Sequence, residues 1–143
     1  MLKTVLAALL AASLCGCMPR QGSSAASTTQ APDGHNSRNA LDWAGVYEGV
    51  LPCADCPGIK TRLVLRSDGS FALTTQYIDR QVTGQTVNGR FTWNAAGSVI
   101  ALDAAANGQQ YAVGEGRLLQ LDRDGTQPPW NTPHRQLLKT GAP

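Results

Sequence analysis

The chain has 143 residues, twelve lysines and arginines against ten carboxylates, and a formal charge of +2. That is one domain's worth of sequence, and so even a balance of charge excludes the basic footprint expected of a nucleic-acid binder. With 6% aromatic residues and many alanines, any core is modest. The first element in chain order is apolar. Met1-Leu2-Lys3-Thr4 carries one positive charge, and residues 5–14 are almost entirely Ala, Leu and Val. This run is too short to span a bilayer, which takes about 20 apolar residues, but its order is that of an export signal.

The signal ends in Leu14-Cys15-Gly16-Cys17, which resembles the lipobox of bacterial lipoproteins: leucine at −3, a small residue at −1, and a cysteine after the cut. Residues 1–16 are therefore expected to be a lipoprotein signal peptide, and Cys17 the lipidated residue. Cys15 is an unusual occupant of a position where Ala, Ser or Thr is commoner, yet no Ala-x-Ala site follows to suggest ordinary cleavage. A thioether-linked diacylglyceryl group and an acylated amine on Cys17 exceed the roughly two-signal threshold for stable anchoring. The first expected partner is thus the membrane itself, reached through the N-terminal lipid. Met18 is not the Asp that commonly retains lipoproteins at the inner membrane, so the expected location is the outer membrane. Residues 17–41 lack apolar periodicity and read as a flexible tether, with a reach of about 25 Å. His35 lies in it as a solvated side chain rather than a ligand.

From residue 42 on, short runs at period two are separated by turn signals. The runs span residues 43–51, 59–66, 70–78, 89–94, 98–103, 109–113, 117–122 and 135–140. In the second, Ile59, Thr61, Leu63 and Leu65 share one face. Ser67-Asp68-Gly69 is a tight hairpin signal, because glycine accepts the positive φ of such turns. Eight short strands joined mostly by hairpins predict an all-β, up-and-down, eight-stranded lipocalin-like barrel over residues 42–143, with a two-sheet sandwich as the alternative. Such a barrel is either filled by side chains or holds one small ligand. The proline-rich stretch 126–133 is the longest irregular loop, and Trp130 in it is placed as a lid over one barrel end, with core packing the simpler role for all three tryptophans.

Of the four cysteines, Cys15 leaves with the signal and Cys17 is consumed by lipid. Cys53 and Cys56 remain, and in an oxidising compartment they are expected to form a disulfide. They sit in Leu51-Pro52-Cys53-Ala54-Asp55-Cys56-Pro57-Gly58-Ile59. With Trp43-Ala44-Gly45-Val46-Tyr47 before it and Leu63-Val64-Leu65-Arg66-Ser67-Asp68-Gly69-Ser70-Phe71 after it, this stretch resembles the NlpE N-terminal domain family over roughly residues 41–140. The resemblance implies an outer-membrane lipoprotein with a lipocalin-like barrel. It also implies roles in copper resistance and the envelope stress response, with a Cpx-type sensor kinase as partner. Fuller members carry a second, OB-like domain, for which a chain ending at Pro143 is expected to have no room.

Four readings of the Cys53–Cys56 pair stay open: a staple, a metal site, a redox catalyst and a passive redox sensor. As a staple it closes a tiny loop, at the low end of what disulfides contribute. As a metal site, two thiolates suit Cu(I), and copper is the one cofactor the sequence suggests. Zinc lacks a second ligand pair, and Met18, His35 and His134 have no spacing that marks them as extra ligands. As a redox catalyst the pair lacks the helix N-terminus that activates such thiols, and Asp55 beside it opposes thiolate formation. The charges Asp79-Arg80, Glu115 and Asp122-Arg123-Asp124 read as solvated strand ends. No catalytic constellation appears, so the expected function is a sensing or binding module and not an enzyme. The rivals are a carrier of a small apolar ligand and a structural or adhesive surface lipoprotein.

Overall fold

A computed structural model describes residues 34–81 and 83–143. The expected signal peptide, the expected lipidation site Cys17 and the expected tether as far as residue 33 lie outside those residues. The described chain forms eight antiparallel strands: β1 (Gly45–Leu51), β2 (Ile59–Leu65), β3 (Ser70–Tyr77), β4 (Gln85–Trp93), β5 (Val99–Leu102), β6 (Gln110–Gly114), β7 (Arg117–Gln120) and β8 (Gln136–Gly141). Each pairs with its successor, and β8 returns to β1 to close the barrel. The up-and-down barrel is the predicted one and the sandwich is excluded, since closure removes both sheet edges.

The period-two pattern sets what faces inward. Tyr47 pairs with Leu63, Leu63 with Leu73, and Leu73 with Val87, so one row of side chains lines the interior across four strands. Tyr47, Leu63, Leu65, Phe71, Ile100, Tyr111, Leu118 and Leu137 have essentially no exposure. Each such side chain contributes about 1.5–3 kcal/mol of transfer free energy. The interior is filled by side chains, as eight strands permit. Trp43 and Trp93 pack edge-on against each other and against Phe91 at one end of this core, with centroid separations of 5.4 to 6.4 Å.

Three features depart from the sequence expectations. First, β4 begins at Gln85, four residues before the predicted run, because its polar residues 85–88 are carried by pairing with β3. Second, residues before 42 belong to the packed body. Ser37–Ala40 is a single helical turn, α1, closed by a reciprocal Asn36–Asn39 capping box. It docks through Ser37 Oγ donating to the Val113 carbonyl (2.7 Å) and the Arg38 amide donating to the Gly97 carbonyl (3.0 Å). Four residues are too few to show helical periodicity in sequence. Third, Trp130 does not lid a barrel end. Val99, Ala112 and Leu119 are direct cross-strand neighbours at outward-facing positions, and with Leu121 they form an apolar row on the outer wall that Trp130 covers.

The barrel has two distinct poles. Strand β1 ends at the pole carrying the 52–58 turn and the β3–β4 connection 78–84. The other pole holds the β2–β3, β4–β5 and β6–β7 turns and α1, so the chain enters the barrel there.

Candidate functional site

The residues singled out from sequence, Cys53 and Cys56, lie in the β1–β2 turn and are joined by a disulfide, with Cα atoms 5.3 Å apart. The turn is narrow for local reasons. Pro52 and Pro57 flank the pair and fix their own φ angles. Gly58 is buried where a Cβ would sit 2.4 Å from Val50 Cγ1, so only glycine lets the turn pass over the end of β1. The Gly58 carbonyl accepts from the Ile78 amide (3.0 Å), which binds the turn to the β3–β4 connection. Both cysteines are half-buried, while Pro52, Ala54, Asp55 and Pro57 are exposed. The pair is therefore reachable from solvent at its crest.

Asp55, between the cysteines, places Oδ1 3.6 Å from Cys53 Sγ. Its other oxygen accepts from Arg80 Nη2 at 2.5 Å, and the Arg80 guanidinium also lies over the Tyr77 ring, 5.3 Å from its centroid. Arg80, by sequence a solvated strand-end charge, is thus part of the turn's surroundings. The register Ile59↔Tyr77 is what brings residues 55 and 80 to the same pole, and that register is a long-range property with no local signal. Asp122, by sequence another solvated charge, pairs with Arg135 at 2.5 Å. The arginine changes the electrostatics inferred from Asp55 alone, because the carboxylate is compensated by a guanidinium on its far side.

Donor atoms of Cys53, Asp55 and Cys56 lie within 4.8 Å of one another. In the oxidised pair the sulfurs are bonded to each other and offer no thiolate. After reduction the two sulfurs are the soft donors Cu(I) prefers, and the carboxylate is a hard donor it does not. His35 and His134 are both exposed and neither joins this group. Cys17 lies outside the described residues.

A second concave feature sits at the entry pole. Arg38, Trp43, Asp68, Arg90 and Trp93 line a cleft of about 450 Å³. The Arg90 guanidinium donates to the Asp68 carbonyl (2.8 Å) and the Trp43 indole N–H to the Arg38 carbonyl (2.9 Å). Asp68 caps the β2–β3 turn by accepting from the Ser70 amide (2.8 Å). Those Ser70 hydrogen bonds, helped by the charges of Arg90 and Arg66, hold its carboxyl below the usual carboxylate range.

Comparison with known proteins places this geometry among relatives. The profile described as the NlpE N-terminal domain matches residues 47–129. Lipoprotein NlpE of Escherichia coli (strain K12) is 32% identical over 80 residues, 55% of this chain and 34% of that protein. The 17 kDa lipoprotein of Treponema pallidum (strain Nichols) is 28% identical over 78 residues, 54% of this chain and 50% of the relative. The chain thus spans a third to a half of the length of these curated relatives. Among solved structures, a protein from Shewanella oneidensis superposes with a TM-score of 0.68 at 46% identity, covering 76% of this chain and 98% of that one. The structure described as the Cpx pathway activator NlpE from Escherichia coli is 30% identical over 59% of this chain and 45% of its own, with a TM-score of 0.49.

Proposed function

The chain belongs to the NlpE N-terminal domain family, and from that premise we propose that it is an envelope lipoprotein whose barrel displays the Cys53–Cys56 turn to an envelope partner. The carrying observation is the turn itself: a solvent-facing disulfide crest on a rigid two-strand base, at the pole opposite the one where the chain enters. The partner fitting this reading is a sensor kinase of the Cpx type, because the Escherichia coli relative described as a Cpx pathway activator shares the domain. The filled interior favours a sensing or binding surface over a carrier of an apolar ligand, since the core side chains occupy the space a cargo would need. The role is recognition, not catalysis.

Copper enters this proposal through the reduced pair only. Two-electron reduction of the disulfide by an external dithiol would free both thiolates of Cys53 and Cys56, which would hold Cu(I). The test is thiol trapping in the envelope with and without copper, combined with a stress-response reporter in cells expressing the full chain. Output that rises on expression, and falls when residues 42–143 are deleted behind an intact anchor, supports the signalling role. Output indifferent to the barrel overturns it. A bond intact in every condition removes copper and leaves a staple.

A further inference from the structure

We propose that the entry pole is a membrane-docking surface, on which Arg38 and Arg90 hold the phosphate of an anionic phospholipid headgroup beside the indoles of Trp43 and Trp93. The proposal rests on the Cys17 anchor proposed above, which would keep the barrel at a bilayer. The described chain begins at this pole, where α1 docks against Gly97 and Val113.

Charge sorts the two poles. At the entry pole Arg38, Arg66 and Arg90 have no salt bridge to a described residue, whereas Asp42 is already engaged by Lys139 Nζ at 2.8 Å. Asp68 and Glu115 are the other carboxylates on this end. At the Cys pole Asp55, Asp79, Asp122 and Asp124 stand against Lys60, Arg80, Arg123 and Arg135, with Arg80 and Arg135 spent on ion pairs to Asp55 and Asp122, while Asp103 lies beside Arg90 and accepts from its amide at 2.7 Å. An anionic surface therefore meets the barrel more favourably at the entry pole, and the Cys turn is left facing away. One Nη of Arg90 is used by the Asp68 carbonyl, which holds the planar guanidinium at the cleft while its remaining N–H groups stay open to a phosphate. Trp43 and Trp93 are half-buried, packed on one side and open on the other, which suits the polar–apolar boundary where indoles collect at membranes.

The test uses the chain from residue 17 on, carrying Cys17→Ser so that no lipid supplies affinity, with vesicles of phosphatidylglycerol or of phosphatidylcholine at low ionic strength. The chain is expected to sediment with the anionic vesicles and not the neutral ones. Arg38→Gln with Arg90→Gln should weaken that partition by about fivefold for each arginine removed, while Arg123→Gln at the other pole should not change it. Arg38→Gln alone serves if the double variant loses its near-UV dichroism. Equal partition onto both vesicle types, or partition unmoved by the arginine variants, overturns the proposal. Thermal stabilisation by inorganic phosphate without vesicle binding also overturns it, and reassigns the cleft to a free anion. Lipidation is read separately, from the mass of the N-terminal peptide of the Cys17 protein expressed in cells. An unmodified Cys17 would sink the anchor while leaving the vesicle result standing.

Discussion

Arg80 reaches from the connection between β3 and β4 to place its guanidinium 2.5 Å from the carboxylate of Asp55, the residue lying between the two linked cysteines. Both side chains are substantially exposed, so the pair adds little to stability. Its effect falls on the chemistry of the disulfide instead. A reducing thiolate approaching Cys53 is repelled by Asp55 and attracted by Arg80. Arg80→Gln should therefore slow reduction by dithiothreitol about two- to fivefold, and Asp55→Asn should speed it by a similar factor. The double variant should return near the parent rate. Stopped reactions quenched with acid and resolved by mass give the three rates, and identical rates would show that the pair is electrostatically idle.

Closure of the barrel depends on close approach at Gly49. A Cβ there would lie 2.5 Å from the backbone oxygen of Gln136, the first residue of β8. Backbone cannot step aside as a flexible side chain can. Gly49→Ala is expected to cost about 1–3 kcal/mol, in the range of overpacking, read as a lower urea midpoint. An unchanged midpoint would mean that the β1–β8 seam yields easily.

Trp130 covers Ala112, Leu119 and Leu121 on the outer wall, with the Arg117 guanidinium 5.1 Å from its ring centroid. Because the indole is only half-buried, Trp130→Ala should cost about 2 kcal/mol, below the 3–5 kcal/mol of a fully buried tryptophan. A loss confined to stability, with the Cys53–Cys56 reduction rate unmoved, is the outcome a wall contact requires. A lid over the interior would instead have exposed the core residue Tyr111, detectable as increased fluorescence quenching.

Alkaline stability carries the signature of the core tyrosines. Burial, reinforced by Asp42, pushes the Tyr47 hydroxyl up to about 12 from an ordinary 10.0, and it donates to the Trp43 carbonyl at 2.6 Å. Burial raises Tyr111 as well. For a raised pKa the folded state holds its proton more tightly. The contribution is thus complete below pH 10 and is lost as pH climbs toward 12. Urea titrations should show stability falling across that interval, with a shallower fall in Tyr47→Phe. Equal slopes in the two proteins would contradict the assignment.

Several features were legible in the residues alone because they depend on neighbours in the chain. The eight strands follow from alternation, as in Thr61, Leu63 and Leu65 facing inward, and the hairpins from signals such as Ser67-Asp68-Gly69, whose glycine has φ +81°. The cysteine pair was legible because two residues separate its members and prolines frame it. The family likeness rested on the same local string. Tertiary structure alone decided what sits beside what across long separations. Strand register brought Arg80 to Asp55, aligned Val99, Ala112 and Leu119 into a row that draws Trp130 onto the wall, and set Arg38 beside Arg90 across more than fifty residues. Side-chain alternation is a property of a single strand, whereas register and pole are properties of the closed sheet, and only closure determines them.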